Sequence, residues 1–467
     1  MEKKENFSEW YAEVVELAGL TDKRYPVKGL NVWTPYGWKL MRLIDEIIRC
    51  EMEKTQHQEV CFPLLIAEDQ FAKEADHIRG FGDEVYWVTK AGGEDLDKKL
   101  LLRPTSETAM YPIFNLWVRS HADLPLKTFQ LVNTFRYDTK QTRAFIRVRE
   151  IHFFEAHTCH IDFEDAEGQI EEDLKIMESL AKKLCIPYLV LKRPEWDKFP
   201  GAFYSLAADS LLPSGKTMQI GTIHQYKENF AKPYEITYED EKGEHRYVHQ
   251  TTYGMSERLV GAIVGVHGDD LGLIIPPDVA PYQIVIVPIL AKGLQDKVTL
   301  ECEKLKEELL KAGFRVHLDL RDVRPGSKYF DWEIRGVPLR IELGQRDMEK
   351  GVVTFVRRDT GQKKEIDRAK LVEHVSETLR EIAENLLDMA SKFLLENTKS
   401  AASLEDIKGK AGIFKVGWCE GEGCGLEMEE TTDMKVLGTP MEKEEYKGEC
   451  LVCKKSTEIV VYLAKTY

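Results

Sequence analysis

Four of the nine cysteines fall in two close pairs near the C-terminus, Cys419-x4-Cys424 and Cys450-x2-Cys453. Two such pairs are the usual way to bring four thiolates into one tetrahedral metal site, and by ligand type either zinc or iron–sulfur would suit them. Gly421, Gly423 and Gly425 around the first pair permit the knuckle-like turn this requires. The other five, Cys50, Cys61, Cys159, Cys185 and Cys302, are scattered. An odd total in a chain of 467 residues argues against a secreted disulfide framework. Met1 to Val15 is a charged amphipathic stretch without the apolar centre of a signal peptide. The best apolar run, Tyr282 to Leu290, is too short to span a bilayer and carries Pro288. A cytoplasmic address with no membrane partner is expected.

With 43% hydrophobic residues, the chain can build two or three domains. Up to residue 280 it reads as an antiparallel sheet with helices. Leu40, Met41, Leu43, Ile44, Ile47 and Ile48 recur at helical spacing within Trp38 to Thr55, and Glu59 to Pro63 reads as a strand stopped by proline. Phe129 to Phe135 and Arg149 to His157 are extended segments flanking a basic polar loop, Asp138 to Phe145, and so predict a long hairpin. Glu164 to Leu184 is an amphipathic helix. Near Pro276-Pro277 the pattern changes. Gln283 to Pro288, Glu301 to Lys311 and Phe314 to Leu318 read as strand, helix and strand, a βαβ unit opening an α/β domain over 281–395. A helix from Ala369 to Leu395 and a polar linker, Asn397 to Ser403, lead into a cysteine-bearing domain over 396–467.

The net charge of −15 does not exclude a nucleic-acid partner, because counterion release depends on the local patch. Between Lys311 and Lys370 there are fifteen Lys and Arg against ten Asp and Glu. Arginine inside an apolar strand, Leu131-Val-Asn-Thr-Phe-Arg136, is costly without an anionic partner. Fixed guanidinium groups suit a reaction that builds negative charge on phosphate oxygens. Alone, Arg136 would read as a structural ion pair with Asp138 or Glu150. Arg103-Pro-Thr105-Ser106-Glu107-Thr offers a hydroxyl and a carboxylate in one turn, which suits a cationic amine; alone it would read as a helix capping box. Adjacent Asp269 and Asp270 invite a metal, but in a strand they would face opposite ways, so they are read as structural.

Three segments in order, the helix and strand ending at Pro63, Phe135-Arg136-Tyr-Asp138 through Arg147-Val148-Arg-Glu150, and Tyr253-Gly-Met-Ser256-Glu-Arg258, together resemble the signature motifs of class II aminoacyl-tRNA synthetases. The Thr105-Ser106-Glu107 turn, Phe154-Glu155-Ala-His157, Met218-Gln219-Ile-Gly-Thr222-Ile-His224, the cysteine pairs and the terminal Tyr467 resemble the archaeal- and eukaryotic-type prolyl members. The resemblance covers nearly the whole chain.

It implies an antiparallel-sheet catalytic domain over 1–280, an anticodon-binding domain over 281–395 and a zinc-binding domain over 396–467. The implied reaction activates proline with ATP and esterifies it onto its tRNA, with magnesium accompanying ATP and the chain acting as a homodimer. Arg136 would hold the α-phosphate and reach the substrate carboxylate, and Arg258 would bind the γ-phosphate. Arg147, Val148, Gln219, Thr222 and Ser256 would complete the ATP site. Thr105, Ser106 and Glu107 would take the amino group, with Glu155, His157 and His224 in the proline pocket. Phe330, Trp332, Glu333, Arg340 and Arg346 would face the anticodon, on a basic stretch with interleaved aromatics. Cys419, Cys424, Cys450 and Cys453 would hold structural zinc, and Tyr467 would approach the active site. One departure is Asp138, where the family usually has glutamate. The alternatives are a synthetase of the same subclass for threonine, serine or glycine, and a non-catalytic RNA-binding paralogue.

Overall fold

The computed structural model describes residues 2–3, 6–73, 83–138, 141–290, 295–442 and 444–467. The expected hairpin forms, with strands β2 (Leu126–Phe135) and β3 (Glu150–His160) paired antiparallel along their length. Positions 139 and 140 of its basic loop lie outside the described residues. Strand β1 (Gln58–Glu59) runs parallel to β2 at one edge. It is shorter than the sequence suggests. Val60 N–H still donates to Phe129 C=O (2.8 Å), but at Phe62 the backbone is taken up by side chains: Gln130 Oε1 accepts from Phe62 N–H (3.0 Å), and Arg103 Nη1 donates to Phe62 C=O (2.8 Å).

On the other side of β3 follow β7 (His249–Ser256), β6 (Lys216–Lys227), β5 (Tyr204–Leu211) and β4 (Leu189–Lys192), each antiparallel to its neighbour. Helices α2 (Pro35–Lys54), α4 (Phe163–Lys183) and α5 (Arg258–His267) contribute to one core with this sheet; the short α1 (Phe7–Leu17) joins them, and α3 (Glu107–Trp117) packs in a separate cluster. The pattern in α2 explains its position. Thr34 caps it by accepting from Gly37 N–H, Pro35 fits the first turn, and Leu40, Met41, Ile44, Ile48 and Met52 make one buried face.

The second unit is a five-stranded sheet ordered β9 (Val316–Leu318), β8 (Ile284–Ile289), β10 (Leu339–Gly344), β11 (Val352–Arg357), β12 (Lys363–Asp367). Its first three strands are parallel, as the βαβ pattern requires, with α6 (Gln295–Lys311) as the crossover. Between β9 and β10 lies α7 (Pro325–Ile334), and α8 (Leu371–Glu396) leads out of the unit. Asp269 and Asp270 sit in a tight turn, with Asp269 N–H donating to Gly272 C=O (2.9 Å), rather than in a strand. Asp269 ion-pairs with Arg358 (2.5 Å) and Asp270 accepts from Lys3 N–H (2.8 Å), so both serve the fold.

The polar stretch after α8 is not simply a linker. Within it, β13 (Thr398–Ser400) pairs parallel with β14 (Ile413–Gly417). These two, β16 (Val460–Thr466) and β15 (Lys435–Pro440) extend the first sheet to eleven strands through β15 and β4. Helix α9 (Glu422–Thr432) carries Cys424. Among the described residues no helix is long and apolar enough to cross a membrane.

Candidate active site

A cleft of about 360 Å³ opens over the strands β3, β7, β6 and β5, beside the end of β2. Thr105, Glu107, Arg136, Arg147, Val148, Glu155, Gln219, Thr222, His224, Ser256 and Arg258 all line it. Glu155, Gln219, Thr222, His224 and Ser256 come from the strands themselves, Glu107 and Arg258 from the first turns of α3 and α5, and Thr105, Arg136, Arg147 and Val148 from the connecting segments, so residues more than 150 positions apart converge.

One corner is acidic. Glu107 is buried and accepts from Thr105 Oγ1 (2.5 Å) and Tyr226 OH (2.9 Å). Ser106 occupies the N-cap of α3 yet makes no side-chain capping bond. Its hydroxyl donates to Glu155 instead, so the capping-box reading of this turn does not hold. Glu155 also accepts from Gln130 Nε2 (2.9 Å) and meets His157 Nε2 (3.1 Å). His157 in turn contacts Tyr111 OH and Thr252 Oγ1, each at 3.1 Å. Ser106 and His157 do not line the cleft; they form the layer behind it, where they fix Glu155. Burial alone would lower the His157 pKa, but its bond to Glu155 and that carboxylate's charge carry it above the ordinary value.

His224 is different. It stacks on Phe199 (4.6 Å between centroids), and its Nδ1 meets Ser205 Oγ at 2.8 Å. Burial lowers its pKa to about 4, so it is neutral near pH 7 and presents an aromatic wall.

The opposite character belongs to the arginines. Arg258 donates through Nε to Ile146 C=O (3.0 Å) and through Nη1 to Gln219 C=O (3.4 Å). Burial, then the charges of Arg136 and Arg147, lower its pKa to about 10. Arg136 donates to Pro104 C=O (3.2 Å); burial lowers its pKa while Glu84, Glu107 and Glu155 oppose the shift. Arg147 is ion-paired with Asp138 (2.8 Å), so the shorter carboxylate at 138 is engaged in orienting an arginine. Three guanidinium groups this close favour an anionic ligand.

Sequence reasoning missed Tyr226, Phe199 and Arg193. Tyr226 was within reach, because it lies two residues after His224 on β6 and so on the same face. Phe199 and Arg193 lie outside the motifs, and no spacing marks them.

The four cysteines of the two pairs place their Sγ atoms within 4.8 Å of one another, with Cys419 and Cys453 at 3.6 Å. A tetrahedron with Zn–S bonds of about 2.3 Å needs sulfurs about 3.8 Å apart, so the donor set fits a single zinc ion. In the second unit, Phe330 is 61% exposed and Arg346 is exposed. Trp332 is not exposed on the surface as Phe330 is. It is 4% exposed, packs with Val285, Val287 and Val337, and donates to Asp319 Oδ2 (2.8 Å). Its place in an α-helix turns it inward, which the interleaved aromatic pattern did not reveal. Arg340 is buried and paired with Glu333 (2.8 Å) and Glu342 (3.0 Å); Trp332, Glu333 and Arg340 all line a second cavity of about 410 Å³. Tyr467 donates to Ser214 Oγ (2.9 Å) and faces Arg143 (5.6 Å to the ring centroid) without lining the cleft.

Comparison with known proteins accords with this geometry. Residues 86–267 match the family described as tRNA synthetase class II core domain (G, H, P, S and T), 283–378 the anticodon binding domain, and 403–467 the prolyl-tRNA synthetase C-terminal family. The chain is 55% identical to the proline–tRNA ligase of Thermococcus kodakarensis over 472 aligned positions, covering 99% of this chain and 98% of that one. It is also 55% identical, with the same coverage, to that of Pyrococcus abyssi. The solved structure of Giardia lamblia prolyl-tRNA synthetase in complex with prolyl-adenylate superposes with a TM-score of 0.97 at 33% identity, covering 100% of this chain and 99% of that one.

Proposed function

The chain belongs to the class II proline–tRNA ligase family, and from that premise we propose how its own residues carry the reaction. It activates proline with ATP to prolyl-adenylate and pyrophosphate, then transfers the prolyl group to the 3′ end of tRNA(Pro). One observation carries the assignment of roles: the Thr105–Glu107 corner and the Arg136, Arg147, Arg258 cluster line the same cleft.

In the first step a carboxylate oxygen of proline attacks the α-phosphorus of MgATP, and the bond to pyrophosphate breaks. The nucleophile is already an anion, so the enzyme's task is positioning and charge stabilisation. Arg136 holds the α-phosphate and the attacking carboxylate, and Arg258 holds the γ-phosphate. Glu107 and Thr105 take the two N–H groups of the secondary ammonium. Glu155, steadied by Ser106 and His157, adds negative charge beside that amine, while neutral His224 and Phe199 form the wall against the pyrrolidine ring. Arg147, Val148, Gln219, Thr222 and Ser256 line the ATP portion. In the second step a ribose hydroxyl of the tRNA attacks the prolyl carbonyl carbon and AMP leaves with the phosphate oxygen. No side chain is assigned as the base.

Cys419, Cys424, Cys450 and Cys453 hold one zinc ion, whose work is structural because all four positions are protein thiolates. The anticodon is taken by the second unit, with exposed Phe330 and Arg346 in contact and Glu333 and Arg340 at the cavity they line. Two chains pair as a homodimer through the apolar groove of Val60, Phe62, Leu65 and Trp117, a reading supported by the exposure of Leu65, Leu116 and Trp117. The enzyme works in the cytoplasm. The direct test is charging of a tRNA(Pro) transcript with labelled proline. ATP-dependent accumulation of prolyl-tRNA is expected; ATP and tRNA binding without any esterified proline would favour the RNA-binding paralogue and overturn the proposal.

A further inference from the structure

Arg193 stands at the junction of two domains and lines the cleft, yet the reaction as described leaves it without a task. It directly follows β4, and its side chain is only 7% exposed. Its guanidinium group is shared three ways. Nη1 donates to Leu437 C=O (2.5 Å) in β15 of the cysteine-bearing domain. Nη2 donates to Asp209 Oδ1 (3.0 Å) on β5, and Nη1 lies 2.9 Å from Asp209 Oδ2, an ion pair whose carboxylate is 1% exposed. Nη2 also reaches Gln219 Oε1 (3.3 Å) on β6, inside the cleft.

The junction is built for this contact. Strand β15 pairs with β4 through Thr439 and Pro440, and its ladder with β16 shifts register between Val436 and Gly438. The shift leaves Leu437 out of that ladder, so its carbonyl is spared for Arg193. At Gly438 (φ +128°) a Cβ would meet Lys192 O at 2.1 Å, so only glycine lets the two strands come this close. Just beyond Arg193, Trp196 packs edge-on against Trp418 (6.0 Å between centroids) and lies where a Cβ on Gly425, next to Cys424, would strike it at 2.3 Å. Asp197 returns to within 3.6 Å of Arg193 Nε. The segment 193–197 is thus gripped by the cysteine-bearing domain at one end and reaches the cleft at the other.

Gln219 is the receiving residue. With Oε1 held by Arg193, its carboxamide presents NH2 as the end left for a ligand, and its main-chain carbonyl accepts from Arg258. We propose that Arg193 is a positioning residue through which docking of the C-terminal domain orients Gln219 and, with it, sets the affinity of the cleft for ATP. The inference rests on the reading above that Gln219 and Arg258 face ATP.

The test compares steady-state ATP–pyrophosphate exchange in the full-length parent with Arg193→Lys, Gly438→Ala and the double variant. Lysine keeps the charge beside Asp209, so the buried carboxylate stays paired, but one ammonium cannot also reach Leu437 and Gln219. Expected for Arg193→Lys is a rise of about fivefold or more in KM for ATP, with KM for proline within twofold and a smaller change in kcat. Gly438→Ala, which disturbs the docking from the far side, should raise KM for ATP alone in the same way. In the double variant the two effects should fall well short of multiplying, because both act through one contact. A fully multiplicative double variant, or KM values for ATP and proline that rise together, would overturn the inference. So would a melting-competent Arg193→Lys protein whose ATP KM stays within twofold of the parent. A parent without proline-dependent exchange would instead refute the functional reading, which keeps the two failures apart. Should Gly438→Ala fail to fold, the split in Arg193→Lys still decides.

Discussion

Replacing Glu107 by glutamine tests the amine corner with little disturbance of the fold. The carboxamide has the same shape, and its oxygen can keep accepting from Tyr226 OH (2.9 Å). Thr105 Oγ1, now beside an NH2 group, is both donor and acceptor and can turn its hydroxyl round. What is lost is one negative charge, buried to 2% exposure, facing a cationic amine. A hydrogen bond to a charged group contributes about 1.5–3 kcal/mol, and breaking a buried ion pair costs about 3–5 kcal/mol. Glutamine retains part of the hydrogen bonding, so about 2–4 kcal/mol is expected, or roughly a 30- to 1,000-fold fall in kcat/KM for proline. Pyrophosphate exchange with proline varied at saturating ATP measures this, alongside a thermal melt. The ring-oxygen analogue tetrahydrofuran-2-carboxylate lacks the amine, so the preference for proline over it should shrink by a similar factor. A folded Glu107→Gln protein within about fivefold of the parent for proline would refute the reasoning, because the charge would then do nothing for the substrate.

Three further outcomes follow from the same geometry. Arg136→Ala and Arg258→Ala should each cut proline-dependent exchange by at least ~100-fold, the scale of removing one charge-stabilising group; near-normal exchange in a variant folded by circular dichroism would refute that residue's role. The parent should retain about one zinc per chain after exhaustive dialysis, and Cys450→Ser should lose most of it together with the order of the C-terminal domain; full metal and full stability in that variant would remove the assignment. Glu257 is buried beside Arg258 with its pKa raised by that burial from 4.5 to about 7, so the stability it contributes is complete below pH ~4.5 and lost as pH rises through 7. Glu257→Gln, whose oxygen can still accept from His152 N–H (3.0 Å), should therefore melt above the parent at pH 8, with the gap closing toward pH 5; a gap independent of pH would contradict this.

Much of this architecture was legible because local pattern and long-range structure agree in it. The helical spacing in Trp38 to Thr55 and the paired extended runs around Asp138 to Phe145 each state their own burial, and α2, β2 and β3 follow. The βαβ unit after Pro277 was readable for the same reason. What escaped depends on neighbours. Glu59 to Pro63 has strand composition, but from Phe62 on Gln130 and Arg103 claim its backbone. Thr398–Ser400 is polar and looks like a linker, yet it finds an open edge beside Ile413–Gly417. Within the site, residues carried by a motif converged on the cleft, whereas the depth of each could not be read: Ser106 and His157 look equivalent to Thr105 and Glu155 in the sequence but stand one layer back. Trp332 shows the same limit. Its helix phase relative to Val285 and Val287 decides whether it meets RNA or core, and the aromatic-rich stretch says nothing of that phase.

The central claim is that the acidic corner and the arginine cluster form one proline-activating site, and an amino-acid panel in ATP–pyrophosphate exchange tests it most directly. Proline should give the highest kcat/KM. Alanine and cysteine fit the same charged ends and lose only apolar contact, a handicap of about 1–3 kcal/mol per methylene, so they should support measurable exchange at high concentration. Threonine, serine and glycine should trail far behind proline. Exchange driven best by one of those three, or an absence of exchange with proline from a folded, zinc-loaded protein, would contradict the account.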